Sequence, residues 1–210
     1  MQRLSGEWTI VVIGGWNLSI FQPDWVAKNL FEEEEIRVEV ALVSGASQFS
    51  FIHNGISLVV NPSKLTISSE NLDDKSINSC EECLKKIARL LPHTPVSAIG
   101  FNSGYIDVNQ NDTLLGLISL CDTAKLAGEG CKIVETSIRR QLDMDERIIN
   151  FRILERDGKF YITVNYHLNV ESTFAILEIP DGEYLQTSKQ VAKLLEKIYD
   201  MTLETEEDDE

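Results

Sequence analysis

Cys80 and Cys83 form a Cys-x-x-Cys pair, a spacing that serves both zinc coordination and dithiol redox chemistry. A zinc site needs two further ligands at comparably tight spacing, and Cys121 and Cys131 are distant and widely separated. A thioredoxin-like site places its pair at the end of a strand in a βαβ unit, whereas this pair falls on a predicted helix, Ser79 to Leu91. There Cys80, Leu84, Ile87 and Leu91 recur at helical spacing, so at least one thiol is expected to serve as a small core residue. A chain of this size has core enough without disulfides, and the cysteines are expected to be reduced.

The other reactive residue types are scattered. His53 sits at an Asn-Gly turn and His93 in a proline-flanked connection, where exposed polar residues need no special explanation. Ser103 in Gly100-Phe101-Asn102-Ser103-Gly104 lacks the Gly-x-Ser-x-Gly arrangement of a nucleophile elbow. Gly14-Gly15 is followed by neither further glycines nor a Lys-Ser/Thr pair before the next helix, so it does not make a phosphate loop. Asp143, Asp145 and Glu146 lack the ligand spacing and distal glutamate of a calcium loop and suit a turn. The expectation is a protein with no catalytic apparatus, no metal and no cofactor.

One polar set does converge. Tyr161, Thr163, Asn165 and His167 occupy alternate positions of one strand, and Arg139 and Arg152 come from neighbouring strands. Such residues are normal on the solvated face of a one-sided antiparallel sheet, yet tyrosine and arginine are enriched at binding hot spots. These six residues are the candidate partner-binding site.

The elements that must position them come in two parallel series. Before Pro95 stand a strand Trp8 to Gly14, a helix Trp25 to Phe31, strands at Ile36 to Leu42, Phe49 to Ile52, Ile56 to Val60 and Leu65 to Ser68, and the helix Ser79 to Leu91. Asn54-Gly55 is a strong hairpin signal. After it stand a strand Val96 to Phe101, a helix Leu114 to Ala127, and strands Lys132 to Leu142, Ile148 to Glu155, Lys159 to Asn169 and Phe174 to Ile179. A last helix is capped by Thr187 or Ser188 and ends at Tyr199, and Asp157-Gly158 marks the second hairpin. The expected fold is α+β: two pseudo-repeats of β-α-β-β-β-β-α forming a curved antiparallel sheet with helices on one face. The boundaries are 1–94 for the first repeat, 95–203 for the second and 204–210 for an acidic disordered tail. Trp8, Trp16 and Trp25 are expected in the core or between the halves, with Trp16, after Gly15, open to exposure.

That order of elements resembles the duplicated TATA-binding-protein-like fold, and the resemblance is one of topology, carrying no functional residue with it. A duplicated ferredoxin-like arrangement with an extra hairpin is the rival. The segments Trp16-Asn17, Phe21-x-Pro23-x-Trp25-Val26-x-Lys28-x-Leu30-Phe31, and Leu91-Pro92-His93-Thr94-Pro95-Val96-x-Ala98-Ile99-Gly100-x-Asn102 resemble a group of small bacterial cytosolic proteins of unknown function. This implies a bacterial cytosolic protein and adds no chemistry.

Composition narrows the partner. Hydrophobic residues make up 43% of the chain, enough for a globular core, and the apolar runs are strand-sized, too short to span a bilayer. The N-terminal residues lack a signal-peptide pattern, so a cytoplasmic location and no membrane association are expected. The formal net charge is −15, concentrated in Glu32 to Glu35 and in the tail after Leu203, both expected to face water. With 19 basic residues against 34 acidic ones, phosphate neutralisation is poorly served. A nucleic-acid-binding saddle would need a local patch of Arg37, Arg139 and Arg152. The leading expectation is a non-catalytic adaptor, inhibitor, immunity or assembly factor that binds a protein through the open sheet face, with homo-oligomerisation left open. A small-ligand protein or enzyme with a pocket between the halves, near His167 or Cys83, is the other alternative.

Overall fold

The computed structural model describes residues 1–43, 46–109, 111–144 and 147–204. Asp145, Glu146 and residues 205–210 of the acidic tail lie outside the described residues. The fold is α+β, built on one ten-stranded antiparallel sheet. The strands are β1 (Gln2–Arg3), β2 (Thr9–Gly14), β3 (Arg37–Val43), β4 (Ala46–His53), β5 (Ile56–Asn61), β6 (Lys64–Ser69), β7 (Val96–Asp107), β8 (Glu135–Met144), β9 (Arg147–Arg156) and β10 (Lys159–Asn169). Their order is β3-β4-β5-β6-β2-β7-β10-β9-β8, with β1 paired to the end of β7. The strands on either side of Pro95 thus belong to one sheet, joined where β2 pairs with β7 from Thr9↔Asn102 to Gly14↔Val96.

Strict alternation gives the sheet one apolar and one polar face. Ile10 and Val12, Leu58 and Val60, Leu65 and Ile67, Ile99, Phe101 and Tyr105, Ile149, Phe151 and Ile153, and Phe160, Ile162 and Val164 are all buried on the apolar face. Two long helices cover it. Helix α2 (Asp74–Leu90) follows β6 and buries Ile77, Cys80, Leu84 and Ile87. The last helix, α6 (Glu183–Tyr199), lays Tyr184 on Phe101 with ring centroids 5.2 Å apart and Tyr199 on Phe151 at 5.7 Å. Trp8 is buried in the core, donates its indole N–H to the Gly104 carbonyl at 2.9 Å and meets Tyr105 edge-on. Trp16 is also buried, at 4% exposure, despite following Gly15. Asn54-Gly55 and Asp157-Gly158 both hold positive φ at each residue, as a type I′ hairpin turn requires.

Several elements differ from expectation for local reasons. Phe174 to Ile179, predicted as a strand, is helix α5 (Thr173–Glu178): Ser172 caps it by accepting from the Ala175 amide, and burial of Thr173 and Ile176 follows a helical spacing. After its first helices the part of the chain beyond Pro95 therefore contributes three strands, β8 to β10, where the earlier part contributes four, β3 to β6. The predicted Leu114 to Ala127 helix is two helices, α3 (Asp112–Ile118) and α4 (Thr123–Gly128), interrupted at Ser119, whose hydroxyl bonds back to the Leu115 carbonyl. Helix α2 starts before Ser79 because Asp73 caps it, accepting from the Ser76 amide at 2.8 Å. Helix α6 starts before Thr187, and β8 lies later than Lys132 to Leu142. Helix α1 (Pro23–Trp25) runs on into a π-helical turn, Val26–Phe31. Glu204, assigned to the tail, is held by its amide to the Met1 carbonyl.

The helical layer is fastened by charge. Gly182, at the N-terminus of α6, offers no side-chain cap. Glu81 of α2 supplies it from another helix, accepting from the Gly182 amide at 3.0 Å and the Tyr184 amide at 2.9 Å. One turn on, Lys85 lies 3.5 Å from Glu81, donates to the Ile179 carbonyl at 2.8 Å and pairs with Asp181. Glu81 and Lys85 are 3% and 6% exposed, so each depends on the other for compensation. Asp74 adds a second fastening, pairing with Arg3 at 2.9 Å and Lys189 at 2.7 Å. None of the described helices is long and apolar enough to cross a membrane.

Glu81→Ala strands Lys85 and uncaps α6, and urea denaturation is expected to show a loss of about 3 kcal/mol; Glu81→Met/Lys85→Met removes the stranded charge and is expected to recover only that part, α6 staying uncapped. Lys189 and Arg3 beside Asp74 hold its carboxyl below the ordinary value of 3.8. That stabilisation is present above 3.8 and lost as pH falls through the lowered native value. Thermal melts across that window are expected to show a shallower acid limb for Asp74→Asn than for the wild type.

Candidate functional site

The polar face of the sheet carries an organised row of amides. The register aligns Gln141 with Asn150, Asn150 with Asn165, Asn165 with Asn102, and Asn102 with Thr9. Each side chain donates to the next in one direction. Gln141 gives Nε2–H to Asn150 at 3.1 Å, Asn150 to Asn165 at 3.0 Å, and Asn165 to Asn102 at 2.8 Å. Asn102 closes the row on the Thr9 hydroxyl at 3.0 Å and the Thr9 carbonyl at 3.3 Å. The ladder thus crosses β8, β9, β10, β7 and β2. A primary amide has two N–H donors and two acceptor lone pairs, so Asn150 and Asn165 each keep one of each after their ladder bonds, whereas Asn102 spends both donors on Thr9.

Gly100 makes this possible. A Cβ there would stand 2.4 Å from the Asn165 amide nitrogen, a separation no real side chain tolerates. Gly104 plays the same part for Glu7, whose own Cβ lies 2.3 Å from where a Gly104 Cβ would be.

The neighbouring row is cationic. Arg139 and Arg152 stand directly opposite each other on β8 and β9, and Arg152 is opposite Thr163 on β10. Cβ atoms of such a pair are about 5 Å apart, and like charges so placed cost up to about 1 kcal/mol. Arg152 donates its Nε–H to the Ser137 hydroxyl at 3.0 Å, which fixes the guanidinium plane, and reaches Glu135 only at 4.0 Å. Arg139 makes no ion pair among the described residues. Arg139, Arg152, Thr163 and Asn165 line a cleft of about 680 Å3 together with Gln141, Asn150, Asn102, Thr9 and, at its far end, Glu7.

Of the six residues singled out in the sequence, four therefore meet in this cleft. Tyr161 and His167 share the strand and face but lie at either end of it: Tyr161 packs under the Arg156 guanidinium at 5.6 Å, and His167 bonds Asn169 at 3.0 Å. Arg37 is not brought to Arg139 and Arg152. It lies on β3, at the opposite edge of the sheet, paired with Glu39. Gln141, Asn150 and Asn102 were missed. The hairpin register about Asp157-Gly158 places Asn150 against Asn165, so that rung was available from the sequence; the Asn102 rung depends on a long-range pairing that no turn specifies.

A second cleft of about 680 Å3 lies on the helical side and includes Phe31, Glu33, His53, Cys83 and Lys86. His53 is 5.2 Å from the Phe31 ring and bonded to Asn54 at 2.8 Å. Cys80 and Cys83 are both buried on α2, and burial pushes their thiols up to about 12, which suits packing and opposes thiolate chemistry. Among the described residues no cluster of three or more histidine, cysteine, aspartate or glutamate side chains has a metal-binding arrangement.

No protein-family model matches this chain, and no curated protein matches it in sequence.

Removing the middle rung tests the ladder. Asn165→Ala is expected to shift the side-chain amide resonances of both Asn150 and Asn102 and to cost about 1 to 2 kcal/mol in urea denaturation. Unchanged resonances for those two residues would show that the rungs are independent.

Proposed function

We propose that this chain is a non-catalytic binding protein of the cytosol that recognises a protein partner through the open face of its sheet, as an adaptor, inhibitor or assembly factor does. One observation carries the reading: the amide ladder beside Arg139 and Arg152 is a polar surface already held in place by its own hydrogen bonds. Side chains fixed before binding lose little freedom on association, so their spare donors and acceptors favour recognition. Amide groups complement the N–H and C=O groups of another polypeptide, and Arg152 and Tyr161 supply hot-spot residue types. The opposite face is occupied by α2 and α6 and is not free for a partner.

The sheet order also supports descent from a duplicated unit of the TATA-binding-protein-like type. The strands β2 and β7 lie side by side at the centre, each flanked by the last long strand of its own half, β6 and β10. On this reading the second half has exchanged its fourth strand for α5. Nucleic acid is the weaker occupant of the face, because Arg37 is too far away to complete a basic patch.

The test is capture of a partner from native cells by tagged protein, with and without nuclease, comparing wild type with Arg152→Ala/Tyr161→Ala. Both positions are half-buried on the polar face, outside the core, so the double variant is expected to stay folded, at a cost of about 1 kcal/mol per site. A nuclease-resistant stoichiometric partner, lost in the double variant, is the expected outcome. Retention of that partner by a folded double variant removes the face from consideration.

A further inference from the structure

We infer that the partner presents a short acidic segment, one of whose carboxylates seats between Arg139 and Arg152, with the amides of Gln141 and Asn150 beside it. This deepens the open-face reading and rests on it.

Arg139 and Arg152 are like charges at opposed strand positions whose one ion pair among the described residues is the long Arg152–Glu135 contact at 4.0 Å. Cross-strand partners on a solvated face ordinarily pair opposite charges or uncharged groups, and here two arginines occupy directly opposed positions of β8 and β9. Arg139 has no described ion-pair partner. Arg152 spends its Nε–H on Ser137, which leaves its terminal nitrogens, five-donor fork otherwise intact, with only a 4.0 Å contact to Glu135. An anion between the two removes the repulsion and gains charge-assisted hydrogen bonds, for which the planar fork of arginine suits a carboxylate in two-point contact.

The next row strengthens the seat. Gln141 and Asn150 follow Arg139 and Arg152 by two residues on the same face, and each retains an N–H beyond its ladder bond. Among the residues lining the cleft the single acid, Glu7, stands at the far end over Gly104.

Charge also sets the length of the segment. The chain as a whole carries −15, so a long polyanion is repelled by most of the surface, and only a few acidic residues find compensation in this cleft. With Arg140 the cleft is lined by three guanidiniums, too few phosphate contacts for the counterion release that drives nucleic-acid binding.

The probe is a fluorescein-labelled decapeptide with three central acidic residues, Glu-Asp-Glu, in a Gly/Ser frame, read by anisotropy, with its Gln-Asn-Gln counterpart, a thymidine decanucleotide and inorganic phosphate as comparisons. The full chain is used, and the variant is Arg139→Gln/Arg152→Gln, with the exposed Lys193→Gln on α6, which removes one charge outside the cleft, as a surface control. The acidic peptide is expected to bind at low salt, to weaken as salt rises, and to shift the Arg152 Nε and Asn150 Nδ2 resonances. Its affinity is expected to fall about tenfold in the double variant, equivalent to about 1.4 kcal/mol, and to be unchanged in Lys193→Gln.

Equal affinity in a double variant with native-like spectra overturns the inference, as does peptide binding that leaves those resonances in place. Tighter binding of the oligonucleotide overturns it in favour of nucleic acid. Saturation by inorganic phosphate that the peptide cannot displace overturns it in favour of a small-anion site. A natural partner that depends on Arg152 and Tyr161 while the acidic peptide fails to bind preserves the open-face reading and rejects only the acidic segment.

Discussion

A carboxylate and an ammonium group withdrawn from water on α2 hold this molecule's upper layer together. Glu81 and Lys85 occupy one turn of a helix that follows β6, but their hydrogen bonds go to the end of α5 and the start of α6, late in the chain. Burying either alone would be strongly unfavourable, and a buried pair stabilises only where remaining donors and acceptors are met. Here the backbone amides of Gly182 and Tyr184 and the carbonyl of Ile179 meet them, groups that would otherwise be unsatisfied at helix ends. The same contacts aim α6 across β7.

That aim reaches the polar face through a short series of bonds. Glu81 fixes the Tyr184 amide; the Tyr184 hydroxyl donates to the Asn102 carbonyl at 2.6 Å; and the Asn102 side chain is a rung of the ladder on the other side of the sheet. The two faces are therefore not independent. A strand residue with its carbonyl engaged by a helix tyrosine and its side chain engaged by two neighbouring strands has little freedom left. The absence of a Cβ at Gly100 completes the arrangement by leaving the space that the Asn165 amide nitrogen occupies.

Much of this was legible in the sequence where the determining contacts are local. Alternation in Phe160 to Leu168 and the Asn-Gly and Asp-Gly turns specify strands and hairpins directly, and with them the polar set Arg152, Thr163 and Asn165. Failures came where a capping residue or a distant partner decides. Phe174 to Ile179 has the β-branched and aromatic content of a strand, but Ser172 caps a helix there, Pro180 stops it after Ile179, and Lys85 of α2 takes up the Ile179 carbonyl. Glu81 and Lys85 look like ordinary surface charges of an amphipathic helix, since nothing near them announces that another helix will end against them. The Asn102 rung required knowing that β7 sits between β2 and β10, information carried by the whole core.

The ladder also has a sense, and one atom sets it. A row of primary amides bonded side by side has two orientations of nearly equal energy, related by turning every group over at once. At the β2 end, however, Asn102 donates to the main-chain oxygen of Thr9 as well as to its hydroxyl. A carbonyl oxygen accepts and never donates. Asn102 must therefore point its nitrogen towards β2, Asn165 must point its nitrogen towards Asn102, and the polarity propagates to Gln141 at the sheet's edge. A chain of side chains long enough to span half the sheet takes its direction from a single fixed backbone dipole, so any molecule laid along it meets a vector rather than a symmetric track.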